Sequence, residues 1–225
     1  MIRGGGSPPL LHFSSPDPQL NRSAFREERV GKAMQQTIET QRLILRPFEE
    51  ADARRVAFLA GEYDVAKMCS RVPHPYPVSA AFDFFAIAAQ GRATGSEFAF
   101  AITAPIDGLV GSCGVVRAGD AADHTWEVGY WLGMPYWGLG YASEAAAGVM
   151  DWAREHLGAE NFVAGHFSDN PASGNVLRKL GFVPSGTQNL FGMARQCTSP
   201  AQRYVWPEGA TPAKLPTHRH AHPAH

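Results

Sequence analysis

The chain has 225 residues, 44% hydrophobic and 18% charged, which is enough apolar material for one sizeable core and fits one domain with tails rather than two. A formal net charge of −1 argues against the basic surface that tracks phosphate backbones, so nucleic acid is not an expected partner. The three cysteines, Cys69, Cys113 and Cys197, lie far apart in no metal-ligand spacing, which argues against a disulfide framework and a structural zinc and suits a reducing, cytoplasmic setting.

Residues 1–38 read as an extension outside the domain: Gly, Pro, Ser and Arg dominate through Ala33, with no sustained period of two or 3.6. Met34 is read as the true start of the chain, because patterned sequence begins just after it. No apolar stretch reaches the roughly 18 residues of a membrane span, and the N-terminal Gly, Pro and Ser interrupt any signal-peptide core. The domain is placed at 39–206. Its first strand is 43–46, stopped by Pro47, and a helix follows over 49–61. A second helix is predicted over 79–90, with Ser79 as its cap and Phe82, Phe85, Ile87 and Ala89 as apolar surface. Strands at 98–103 and 109–116 form a hairpin around Pro105, Asp107 and Gly108. The strand 126–132 comes next, with Gly129 inside it as the mark of a bulge or a close backbone approach.

The stretch 141–157 carries an amphipathic stripe through Tyr141, Ala145, Val149, Trp152 and His156, and Gly158 ends it. With the apolar strand 161–167 it predicts a strand, helix, strand crossover, hence parallel pairing within an otherwise antiparallel sheet. Asn170-Pro171 has the cap and first-turn proline of a helix start, and Val176, Leu177 and Leu180 form its buried side. Strands at 182–186 and 202–205 close the domain, and 207–225 is a tail. The tail histidines His218, His220, His222 and His225 have no ordered scaffold to hold a metal, and no metal is expected.

A strand, a glycine turn and a helix make an anion site, because glycine lets the backbone approach the ligand while the first helical amides point at it. Gly138 and Gly140 stand at that junction. The same turn is also compatible with a tight connection that binds nothing. A dinucleotide fold would need a third glycine where Ser143 stands and an acidic residue where Phe167-Ser168 stands; a P-loop would need Gly-Lys-Ser/Thr.

Three ordered segments, spanning Thr40 to about Val205, resemble the GNAT superfamily of N-acetyltransferases, and within it the branch that acetylates ribosomal-protein N-termini. They are Thr40-Gln41-Arg42-Leu43-Ile44-Leu45-Arg46-Pro47, then Trp137-Gly138-Leu139-Gly140-Tyr141-Ala142 with Ser143-Glu144-Ala145 after it, then Asn170-Pro171-Ala172-Ser173 through Gly181-Phe182. Trp137 departs from the Gln or Arg usual in the superfamily. The resemblance implies a single α/β domain with a mixed, largely antiparallel sheet flanked by helices. Its fourth and fifth strands, those of Glu127 and Val163, would splay apart to admit acetyl-coenzyme A. It implies transfer of the acetyl group to a primary amine, on a protein N-terminus or a small molecule, by direct attack. The backbone of Tyr130, Trp131 and Leu132 would receive the pantetheine arm and thioester carbonyl, with amides freed by a strand bulge. Gly138, Leu139, Gly140, Tyr141, Ala142 and Ser143 would hold the pyrophosphate, and Asn170 would fix the arm from the other side, a use compatible with capping.

A free α-amine has a pKa near ~8 and a lysine near ~10.4, so a proton acceptor helps at neutral pH. Glu127 takes that role where the resemblance places many family bases; an outward glutamate on the strand is the alternative, since one sequence does not fix the face. The family's proton-donating tyrosine falls at Leu177. Ser173, one turn earlier, is the donor in its place, unless it only bonds backbone at the helix start. His166 points either to the acceptor or to the core. The missing tyrosine and the Trp137 departure leave open a non-catalytic acyl-coenzyme A binding module, and monomer and homodimer are both compatible with the sequence.

Overall fold

The computed structural model describes residues 37–119 and 123–207. Expectations for the N-terminal extension up to residue 36, including the start at Met34, and for the tail histidines fall outside the described residues. The chain opens on β1 (Ile38–Glu39) and β2 (Ile44–Arg46), an antiparallel pair with Ile38 opposite Leu45. Two residues are too few to carry a period, so β1 has no sequence signature. After Pro47 a 3-10 turn leads into α1 (Ala53–Ala60). Arg46 clamps that turn by donating to both oxygens of Asp52, at 2.7 and 2.9 Å. Burial alone would raise the Asp52 carboxyl, but the bonds from Arg46 and from the Glu49 amide outweigh it and hold the group below its ordinary value.

α2 (Tyr63–Ala66) and α3 (Val78–Thr94) follow. Ser79 is not the cap: the helix begins after Pro77, so Ser79 lies inside the first turn and makes no capping bond. The aromatic cluster divides, with Phe85 stacked on Phe48 at 4.8 Å while Phe82 and Ile87 stay exposed. β3 (Glu97–Ala104) and β4 (Gly108–Arg117) form the expected hairpin, and β5 (Thr125–Leu132) adds antiparallel to β4. The β4–β5 register runs unbroken, Gly129 faces Gly114, and a side chain at Gly129 would meet nothing, so neither bulge nor close approach occurs there.

α4 (Tyr141–Leu157) crosses to β6 (Asn161–Phe167), which pairs parallel with β5 as the crossover requires. α5 (Pro171–Lys179) leads to β7 (Val183–Gly192) and β8 (Cys197–Val205), and β8 inserts between β6 and β7. The sheet order is β1-β2-β3-β4-β5-β6-β8-β7, with every pairing antiparallel except β5 with β6. The closing hairpin is longer than its apolar residues suggest, because β7 is an exposed edge and needs no hydrophobic alternation. The core forms where one face of the sheet meets α4: Phe98 and Phe100 each pack against Trp152 at 5.1 Å, and Phe98 meets Trp126 at 6.0 Å. Truncating one such buried aromatic costs about 3–5 kcal/mol, so α4 and the glycine turn at its head are held firmly to the sheet.

Candidate active site

Hydrogen bonding between β5 and β6 covers only Thr125, Trp126 and Glu127 against Asn161, Phe162 and Val163. Residues 128–132 and 164–167 continue without pairing to each other, while β6 stays bonded to β8 on its far side. The result is a notch whose apex lies at Glu127 and Val163 and whose inner edge is the β5 stretch Tyr130, Trp131 and Leu132, whose β6-facing backbone groups have no partner in β6. Those groups are freed by the parting of two strands, not by a bulge, because a continuous β4 partner leaves β5 regular.

Strand alternation sorts the side chains of β5. Trp126 and Val128 are buried, and Tyr130 lies on their face; Glu127 and Gly129 are exposed on the other. The Glu127 carboxylate makes no hydrogen bond or ion pair to the described residues, so it does not serve as a cross-strand partner. The Tyr130 hydroxyl stands 3.0 Å from Ser173 Oγ and 3.2 Å from the Ser173 carbonyl oxygen. Burial pushes the Tyr130 phenol well above its ordinary value, only partly offset by the Ser173 bond, so it stays neutral at working pH.

α5 begins as read: the Asn170 side chain accepts from the Ser173 amide at 3.2 Å, and Pro171 opens the first turn. Capping uses only the carbonyl oxygen of Asn170, which leaves its amide group for another partner. The Ser173 hydroxyl engages Tyr130 and not a backbone group of its own helix. Leu177, where the family tyrosine would stand, is fully buried core. His166 belongs to the core as well: its Nδ1 donates to the Phe167 carbonyl at 2.7 Å, and its Nε2 lies 3.5 Å from the Tyr204 hydroxyl.

At the head of α4, Gly138 and Gly140 adopt φ of 76° and 81°, the left-handed region that costs other residues about 1–2 kcal/mol. Gly140 is the cap residue and has no side chain to satisfy the first amides, so those of Tyr141, Ala142 and Ser143 remain available to an anion. The turn is pinned on both sides: Trp137 Nε1 donates to the Leu132 carbonyl at 2.8 Å, and Arg42 donates to the Leu139 carbonyl at 3.0 Å. Trp137 thus ties the turn to the end of β5 instead of offering a polar group to phosphate. That bond sets the turn against the end of β5, an arrangement that suits one long ligand with a phosphorylated end.

Next to Asn170, the β7–β8 turn is tied to the segment after α2. Arg195 donates to both Asp169 oxygens at 2.9 Å and to the Lys67 carbonyl at 2.6 Å, and the Met193 amide donates to the Ser70 carbonyl at 3.0 Å. Sequence reasoning did not reach the Arg195 clamp or the Tyr130 hydroxyl. Tyr130 had a signal, since it alternates with the apolar Trp126 and Val128; Arg195 had none.

Residues 42–183 match the family described as Acetyltransferase (GNAT) domain. An uncharacterized N-acetyltransferase, p20, from Bacillus licheniformis is 30% identical over 161 residues, covering 71% of this chain and 89% of that one. The fold is shared with Mycobacterium smegmatis RimJ in complex with CoA-disulfide, at a TM-score of 0.67 and 19% identity over 76% of this chain and 86% of that one. A ribosomal-protein-S5-alanine acetyltransferase from Vibrio fischeri superimposes with a TM-score of 0.67 at 18% identity, covering 77% of this chain and 97% of its own. Glycine turn, open strand edge and family match agree: this chain belongs to the GNAT acetyltransferase family.

Proposed function

We propose that this N-acetyltransferase binds acetyl-coenzyme A with its pyrophosphate on the turn 138–143 and its thioester in the β5–β6 notch, and passes the acetyl group to a primary amine. The observation that carries the reading is the uncapped, doubly pinned glycine turn set against the end of β5, where β5 has no partner in β6. The same reading takes 39–206 as the acetyltransferase domain, in line with elements running from Ile38 to Val205. A chain N-terminus is the first acceptor to test, because RimL, a ribosomal L7/L12 alpha-N-protein acetyltransferase, shares this fold.

Holding amine and thioester in register supplies the largest share of the rate, on the order of 7–11 kcal/mol. Glu127 sits at the apex on one face of β5 and Ser173 approaches from the other, so amine and departing sulfur can be served from opposite sides. Glu127 takes the amine proton, directly or through a water, as the nitrogen attacks the acetyl carbon. Ser173 donates its hydroxyl hydrogen bond to the sulfur as the carbon–sulfur bond breaks, passing its proton to the departing thiolate while it takes one back from water. Tyr130, held neutral by burial, orients that hydroxyl and does not itself give up a proton. Asn170 presents its free amide to the pantetheine arm. Direct attack is favoured over an acyl-cysteine route, because burial pushes the thiols of Cys69 and Cys113 up to about 12 and keeps both protonated at neutral pH.

The test is thiol release from acetyl-coenzyme A with a panel of N-terminal peptides and small amines. Release with at least one acceptor class is expected; coenzyme binding with no release across the panel would make the protein a binding module. In the responsive assay Glu127→Gln should raise the pH at which activity appears toward the amine's own value near ~8. An unchanged profile would remove Glu127 from the proton-acceptor role. Ser173→Ala should lower turnover about tenfold to a hundredfold and leave coenzyme affinity intact. Equal loss of both would make Ser173 a binding residue only.

A further inference from the structure

Two segments with separate sequence signatures, 40–47 and 143–145, meet at one shielded ion pair. Glu144 lies in the first turn of α4 with its side chain 11% exposed. Its carboxylate accepts from Thr40 Oγ1, the Arg42 amide and Arg42 Nε, each at 2.7 Å, and a second guanidinium nitrogen of Arg42 lies 2.7 Å away. The same guanidinium donates to the Leu139 carbonyl at 3.0 Å and lies 4.8 Å from the centroid of the Tyr141 ring. It also borders Gly140, where a Cβ would stand 3.4 Å from it. One side chain therefore touches the turn before, beside and after its capping glycine.

A carboxylate in a first helical turn stabilises an empty helix, because it faces the positive end of the dipole. That same field is what an anionic ligand uses. Left unpaired, Glu144 would repel a pyrophosphate on the neighbouring amides. The turn brings no cation of its own, since Trp137 stands where Gln or Arg is usual and 138–143 holds no basic residue. Arg42 meets both needs. It cancels the Glu144 charge, and by holding the Leu139 carbonyl it leaves the turn's N–H groups facing the ligand.

We propose that Arg42 is a positioning residue for coenzyme binding, acting by neutralising Glu144 and by fixing the Leu139 carbonyl. This rests on the reading of 138–143 as the pyrophosphate site. In the full chain, Arg42→Met should raise KM for acetyl-coenzyme A and the Kd for coenzyme A by about tenfold or more while kcat stays within about threefold. Arg42→Met/Glu144→Gln should recover most of that loss, because no buried charge is left facing the phosphates. Glu144→Gln alone should bind coenzyme A at least as tightly as the native chain, since it removes one negative charge and keeps Arg42; this variant decides the matter even where Arg42→Met folds poorly. Weaker binding by Glu144→Gln, an unaffected Arg42→Met, or a double variant no better than Arg42→Met would each overturn the proposal. A native chain that fails to bind coenzyme A would instead sink the site itself.

Discussion

Gly140→Val is expected to reduce coenzyme A affinity by more than about a hundredfold while leaving the thermal midpoint of the free protein close to native. At φ 81° a β-branched residue is strained by sterics alone, and its Cβ would stand in contact with the Arg42 guanidinium at 3.4 Å. The turn relieves that strain by leaving the left-handed region, which rotates the amides of 141–143 away from a common point. Gly138→Ala isolates the first effect, because φ there is 76° and a Cβ would meet nothing within 4 Å. It should weaken binding about tenfold, the equivalent of about 1.4 kcal/mol. Titration calorimetry with coenzyme A measures both. Native affinity in a folded Gly140→Val protein would place the phosphates elsewhere.

Gly174→Val is the second large effect, and here the loss is of stability as well as turnover. Gly174 lies within α5, where an ordinary Gly→Ala change would gain about 1 kcal/mol from helix propensity. A Cβ at this position would instead stand 2.7 Å from His166 Nε2 and 3.3 Å from the Tyr204 hydroxyl. His166 is buried and tethered through Nδ1 to the Phe167 carbonyl, and Arg178 donates to the Tyr204 hydroxyl at 3.3 Å, so neither side chain gives way freely. Overpacking of this kind costs about 1–3 kcal/mol, with valine at the upper end. Because Ser173 is the adjacent residue, lifting α5 off β6 also breaks its bond to Tyr130, and turnover should fall about tenfold. Urea unfolding gives the stability, and a double-mutant cycle tests the cause: Gly174→Ala should cost at least about 1 kcal/mol less in a His166→Ala background. Additive losses would mean that His166 is not what excludes a side chain.

The hairpin, the crossover helix and its parallel strand, the helix start at Asn170-Pro171 and the glycine turn were all legible in the sequence. Each is a local decision made by a period, a proline or a residue that tolerates an unusual backbone angle. Where local reasoning failed, the cause was equally local. Ser79 looked like a cap because serine caps helices, yet Pro77 had already set the start one position earlier. Gly129 looked like a bulge because glycine weakens strands, yet an unbroken β4 partner holds β5 regular, and the backbone it was meant to free is freed by β6 turning away.

The sequence by itself determined the fold, the family and the glycine turn, because those follow from short-range pattern and backbone permission. Tertiary structure alone decided which charges stand beside that turn and which hydroxyls meet behind the notch. Arg42 reaches Glu144 across 102 positions, Tyr130 reaches Ser173 across 43, and Arg195 reaches Lys67 across 128. No period or spacing encodes such meetings. They arise when a sheet opens between β5 and β6, α4 and α5 close over it, and the remaining polar groups must find partners away from water.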